Sequence, residues 1–307
     1  MKKSNWLTIA MILAACWAVA SARANEKRHP ITAVATTGMV ADIVRQVGGD
    51  RVTVTRLMGP GVDPHLYKPT SGDVMKLSQA NIIFYSGLKL EGRMGEVFAR
   101  LSRVGKPVYA ISRSVPESLL LKPAEFEDHF DPHVWLDVSL WAQTVPTIVQ
   151  GLSEADPQGR GLYEKNGAAL IERLEKLHEW CKEKAAALPR EHRILVTSHD
   201  AFNYFGRAYG FKVVALQGVS TVSEAALADV ASLVDFIKRQ GVKAIFVETS
   251  VNPAAIRRVA EDAGVRIGGE LFSDALGEPG EVKDGFDVGS YEGMIRYNMS
   301  TIINALR

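Results

Sequence analysis

The chain has 307 residues, of which 47% are hydrophobic and 23% charged, and its formal net charge is +1. That balance excludes an intrinsically disordered chain, which buries too little apolar surface to fold, and it offers no basic field for nucleic acid. The length suggests two domains, and with Cys16 and Cys181 as the only cysteines, stability must come from packed cores rather than a disulfide framework.

The first 24 residues, "MKKSNWLTIAMILAACWAVASARA", read as a signal peptide. Lys2 and Lys3 precede an apolar run from Trp6 to about Ala20, and Ala22, Arg23 and Ala24 form a small-x-small cleavage site. The run is shorter than the roughly 20 residues of a spanning helix, so a retained anchor fits less well. A second exit is offered by Leu13, Ala14, Ala15 and Cys16, which resemble a lipobox whose cysteine is acylated. Trp17 and the apolar residues after it favour cleavage following Ala24, and either route exports the protein. The leader holds three of the 36 basic residues and none of the 35 acidic ones, which leaves the mature chain at −2.

Beyond the leader, the β-rich runs "ITAVATT", "RVTVTRLM", "NIIFYSG" and "PVYAIS" alternate with the helical patterns "GMVADIVRQVGG", "SGDVMKLSQA" and "LEGRMGEVFARLSRVG". Such alternation predicts a parallel sheet covered by helices. Thr70 and Asp73 have the spacing of a capping box at the start of the second helix. A further helix is predicted from about Ser139 to Ser153. From Asp156 to Leu188 the chain becomes one long, charged amphipathic segment of strong helix formers ending at Pro189, a candidate connecting helix. The alternation then resumes through "RILVTSHDAFNYFGRAYG", "FKVVALQG", "SEAALADVASLVDFIKRQG", "VKAIFVETS", "PAAIRRVAEDAG" and "VRIGGELFSD", with a last helix from about Ser290 to Leu306. The predicted class is α/β: a leader over 1–24, a lobe over 25–155, a connecting helix over 156–189 and a second lobe over 190–307.

Ligands of open α/β sheets bind outside the carboxyl ends of the strands, and four polar side chains fall there. His65 and His133 each follow an Asp-Pro pair (Asp63 with Pro64, Asp131 with Pro132), which presents an imidazole from a stiff, non-helical loop. His199 follows "ILVTS" directly, and Asp274 lies just past "VRIGGEL". Singly, each is an ordinary turn residue, and Asp274 could cap a helix. Together, three imidazoles and a carboxylate suit a first-row divalent metal, zinc best, in a cleft between the lobes, although spacing alone does not make them converge. The spacing of His129 and His133 would fit one helix face, but Pro132 breaks that helix, so His129 is expected in a solvated loop. His29, His178 and His192 are expected at the surface. Asp200 and Glu248, each at a strand end, are expected to make ordinary polar contacts, with an orienting partner or spare ligand as the alternative.

The segments "TTGMVADIVRQVGGD", "LMGPGVDPHLYKPTSGDVMKLSQANIIFYSGLKLEGRMGEVF", "FDPHVWLDVSLW", "RILVTSHDAFNYFGRAYGF", "LQGVSTVSEA", "AIFVETS" and "IGGELFSDALG" resemble, in order, the metal-binding solute-binding proteins of bacterial zinc and manganese ABC transporters. The resemblance implies two lobes bridged by a single long rigid helix, with one Zn²⁺ or Mn²⁺ held between them as cargo. It places the ligands at His65, His133, His199 and Asp274. It also implies a monomer whose partners are a permease and its ATPase, and no enzymatic activity. Asp63 and Asp131 would brace the loops or receive an imidazole N–H. The long histidine-rich loop of zinc-dedicated members is absent, as is the glutamate that manganese-dedicated members carry at the position of His199. Two other functions remain open: a zinc hydrolase, which would need three protein ligands, an ordered water and a base such as Glu248 or Asp200, and a surface adhesin.

Overall fold

The computed structural model describes residues 30–123 and 129–307. The leader, Cys16 and His29 lie outside the described residues. In the first lobe, β1 (Ile31–Ala35), β2 (Val52–Arg56), β3 (Ile82–Tyr85) and β4 (Val108–Ala110) form a parallel sheet in the order β2-β1-β3-β4. Ala33 to Ala35 and Ile82 to Phe84 are buried without a polar alternation, as strands covered on both faces must be. The covering helices include α1 (Gly38–Gly48), α2 (Ser71–Gln79) and α3 (Gly95–Arg103). The predicted capping box is formed: Asp73 N–H donates to Thr70 Oγ1 at 3.2 Å and Thr70 N–H to Asp73 Oδ2 at 3.0 Å.

The helix expected over 139–153 is two helices, α4 (Val138–Ala142) and α5 (Val145–Ala155). Pro146 lacks the N–H that a continuous helix would need and is accommodated in the first turn of α5, so the helix restarts there. The connecting helix α6 (Arg160–Ala186) follows a 3₁₀ turn at Pro157–Gly159 and has 27 residues. Its buried stripe, Tyr163, Gly167, Leu170, Leu174, Leu177, Cys181 and Ala185, recurs every three or four residues and packs on α1, α4 and α5. Burial pushes the Cys181 thiol up to about 12, which leaves it a small apolar filler.

The second lobe contains two parallel pairs, β5 (Ile194–His199) with β6 (Lys212–Gln217) and β7 (Ala244–Glu248) with β8 (Arg266–Leu271), and β5 runs alongside β7. Around them lie α7 (Asn203–Tyr209), α8 (Leu227–Gln240), α9 (Ala254–Ala263) and α10 (Tyr291–Leu306). A short hairpin of β9 (Val282–Lys283) and β10 (Phe286–Asp287), too brief to carry an apolar alternation, follows β8. Its turn uses Asp284 at φ +50° and Gly285 at φ +82°, the positive-φ pair for which Asp-Gly is suited.

One apolar core runs through both lobes and α6, including Phe84, Trp135, Trp141, Leu170, Leu174, Phe246, Met294 and Ile302. Polar contacts reinforce it across the lobes. Trp135 Nε1 donates to the Ser273 carbonyl at 2.8 Å, Tyr291 OH to the Trp135 carbonyl at 2.6 Å and Tyr204 OH to the Asp131 carbonyl at 2.9 Å. Among the described residues, no helix is long and apolar enough to cross a membrane.

Candidate metal centre

The repeated Asp-Pro-His motif is a repeated turn. Asp63 Oδ1 accepts the His65 N–H at 2.8 Å, and Asp131 Oδ1 accepts the His133 N–H at 2.9 Å, so each aspartate closes the loop two residues ahead. The second carboxylate does more: Asp131 Oδ1 also lies 2.8 Å from His133 Nδ1. A carboxylate there holds the proton on Nδ1 and leaves the Nε2 lone pair for another partner. Asp63 instead uses its other oxygen to accept from Thr221 Oγ1 of the second lobe at 2.6 Å.

His199 is the last residue of β5 and Glu248 the last of β7. Glu248 Oε2 lies 2.6 Å from His199 Nδ1, while Oε1 accepts the backbone N–H groups of Ser198 and His199 at 2.8 and 2.9 Å. The expectation of an ordinary polar contact at Glu248 is therefore corrected: this side chain orients an imidazole. Asp274 stands in the turn after β8, and no helix follows for it to cap. The Trp135 bond to Ser273 holds that turn against the first lobe.

These loops bring His65, His133, His199 and Asp274 together, with donor atoms all within 4.8 Å of one another. His65 Nε2 and His199 Nε2 lie 3.2 and 3.4 Å from His133 Nε2. Asp274 Oδ1 is 3.5 Å from His133 Nε2, and Asp274 Oδ2 is 3.2 Å from His199 Nε2. A tetrahedral ion with bonds of about 2.0–2.1 Å needs donors about 3.3–3.4 Å apart, so the spacing fits zinc-like coordination. Relative exposure is 0% for His133 and His199, 1% for Asp274 and 5% for His65. Asp274 Oδ1 has no hydrogen-bond partner despite its burial, which is costly unless a cation or donor satisfies it.

The electrostatics match that arrangement. Burial drives the His65 pKa down to about 3, so its ring is neutral and ready to coordinate at any ordinary pH. Burial also opposes a charge on His199, but the carboxylates of Glu248 and Asp274 outweigh it and hold this imidazole well above its usual range. Asp274 is likewise penalised by burial, yet His199, then His133 and His65, hold its carboxyl well below the usual carboxylate range.

The other candidates separate from this group. His129 lies 2.6 Å from Lys89 Nζ, and Asp200 accepts from Asn203 Nδ2 at 2.8 Å, an ordinary polar contact as expected. His192 is partly exposed beside Lys243 Nζ at 3.4 Å. The surface expectation for His178 is corrected: it is half-buried, with Nδ1 3.3 Å from Tyr209 OH and 3.8 Å from Asp137, because α6 turns it toward α7. Thr221 and Trp135 escaped the sequence reading, since neither residue type marks a site and each acts through a partner in the other lobe.

Comparison with known proteins agrees over nearly the whole chain. Residues 33–305 match the family described as ZnuA, the periplasmic component A of a zinc-uptake complex. The chain is 43% identical over 300 residues to the manganese-binding lipoprotein MntA of Bacillus subtilis, covering 96% of this chain and 95% of that protein. It is 46% identical over 278 residues to the zinc-binding protein TroA of Treponema pallidum, covering 89% and 88% respectively. The solved structure of periplasmic zinc-binding TroA superimposes with a TM-score of 0.85 at 43% identity, over 91% of this chain and 99% of that one.

Proposed function

This chain belongs to the ZnuA family of periplasmic zinc-uptake components, and from that premise we propose that it is an exported binding protein that captures one divalent ion, Zn²⁺ or Mn²⁺, and delivers it to an ABC permease with its ATPase. His65, His133, His199 and Asp274 are the proposed ligands. The carrying observation is that four buried donors lie within 4.8 Å of one another, with His133 Nε2 3.2–3.5 Å from each of the other three, and that His133 and His199 have Nδ1 held by a carboxylate. The cargo sits between a lobe over 25–155 and one over 190–307, joined through 156–189, and the protein acts as a monomer.

Cargo binding needs no chemistry beyond coordination. Three nitrogens and one oxygen favour zinc over manganese, which lies at the weak end of the affinity order and prefers oxygen donors. Relatives are named for either metal, which supports both as cargo. A hydrolase would need an open position and a free base. Here four protein donors complete the set, and Glu248 is committed to His199 and two backbone N–H groups, which favours binding over catalysis.

Export follows from the leader. Release after Ala24 yields a periplasmic protein, whereas the lipoprotein name of the Bacillus relative favours acylation at Cys16, and a Cys16→Ser variant distinguishes them by its loss of membrane association. The function itself is tested by purifying the protein from its native compartment without added metal and measuring bound metals by elemental analysis. The expected result is one zinc or manganese per chain, lost in His133→Ala; chains that bind no metal stoichiometrically would refute the reading.

A further inference from the structure

Two loops from opposite lobes meet at the site. One, residues 57–70 after β2, carries His65; the other, residues 218–226, joins β6 to α8. The second loop is largely solvated, with Val222 at 60% exposure, yet Thr221 turns inward to 8%. Its Oγ1 donates to Asp63 Oδ2 at 2.6 Å, and Asp63 Oδ1 accepts the His65 N–H at 2.8 Å. A single carboxylate thus fastens the backbone of a proposed ligand to a hydroxyl of the opposite lobe. His65 is also the most exposed of the four proposed ligands.

Resting on the proposed metal-binding function, we propose that Thr221 is a positioning residue whose hydrogen bond to Asp63 latches the His65 loop against the second lobe and sets the rate at which the bound ion exchanges. Thr221 belongs to none of the donor atoms, so its loss leaves coordination complete. The bonds of Trp135, Tyr204 and Tyr291 hold the lobes together independently of it. What its loss removes is a charge-assisted hydrogen bond that must break before the His65 loop can move away from the facing lobe.

The test compares the parent with Thr221→Val, which keeps the shape and removes the hydroxyl, and Thr221→Ser, which keeps the hydroxyl. Each is loaded with one equivalent of zinc and mixed with excess chromogenic chelator in a stopped-flow instrument. All are expected to hold one ion per chain, with release about tenfold faster from Thr221→Val and within about twofold of the parent from Thr221→Ser. Thr221→Ala, which introduces no new methyl contact, is expected to match Thr221→Val and serves in its place if that variant misfolds. Equal rates in parent and valine variant, or equally fast release from the serine variant, would overturn the latch while leaving the binding function intact. A parent that takes up no zinc would remove both.

Discussion

His199 Nδ1 lies 2.6 Å from Glu248 Oε2, and the other oxygen of that carboxylate holds the backbone N–H groups of Ser198 and His199. The last residue of β7 therefore fixes both the main chain and the ring of the last residue of β5. Glu248→Gln removes the charge that holds the Nδ1 proton and leaves fewer acceptors for three donors. With His199 as a proposed ligand, zinc affinity is expected to fall about 10–100-fold, the usual effect of removing a carboxylate partner of a metal-binding histidine, measured by competition with a chelator of known affinity. Unchanged affinity would show that His199 needs no such support.

The site should bind less tightly as pH falls. In the metal-free protein the raised pKa of His199 favours the doubly protonated ring, with Nδ1–H on Glu248 and Nε2–H facing Asp274, and the incoming ion must displace the Nε2 proton. A pKa above the ordinary value of about 6.5 means that the competition persists above that pH, with affinity rising up to about tenfold per unit until the folded pKa is passed. The same raised pKa stabilises the metal-free fold fully below about pH 6.5 and less as pH rises through the folded value. His65, lowered to about 3, is neutral in both forms above that value and cancels from their difference. The thermal shift produced by zinc should thus be smaller near pH 5 than near pH 7.5, and zinc addition near pH 7 should release a proton. An equal shift at both values would contradict this.

Replacing His199 with glutamate exchanges a nitrogen donor for a harder oxygen and adds negative charge beside Glu248. Mn²⁺ should lose less than Zn²⁺. His199→Glu is expected to keep one ion per chain while raising manganese affinity relative to zinc, and His199→Ala to weaken both metals. His129→Ala, at a residue that faces Lys89, should change neither. Competitive titration of the two metals decides: an unchanged ratio in His199→Glu, with binding abolished in His129→Ala, would reassign the ligands.

Loading should change the overall dimensions little. A 27-residue helix connects the lobes, one apolar core spans them, and Trp135 both donates to Ser273 and accepts from Tyr291. Small-angle scattering of metal-free and loaded protein is expected to give nearly the same radius of gyration, and a large difference would refute the rigid connection. Trp135→Phe should cost about 1–3 kcal/mol in denaturant unfolding, because it leaves the buried Ser273 carbonyl without its donor. It should also weaken zinc binding, since Asp274 is the next residue along that turn.

What the chain declares locally, it declares plainly. The apolar periodicities of β1, β3 and α6, the capping box of Thr70 and Asp73, and the stiff Asp-Pro-His turns depend on bonds or contacts within a few residues, and all are present. The break at Pro146 is equally local: its missing N–H ends one helix and is accommodated in the first turn of the next, so the segment over 139–153 is two helices. Strand ends also indicated where His65, His133, His199 and Asp274 would stand, since a β/α alternation carries all its strand ends to one side of a sheet. Their convergence was a matter for tertiary structure. The proton on His199 is held by a residue 49 positions away, the turn of Asp274 by a tryptophan 138 positions from Ser273, and the loop of His65 by a threonine 158 positions from Asp63. Such polar partners have no periodicity, so the pattern of residues does not mark them; they meet only because burying the apolar faces of both lobes against α6 and each other fixes where the loop tips lie.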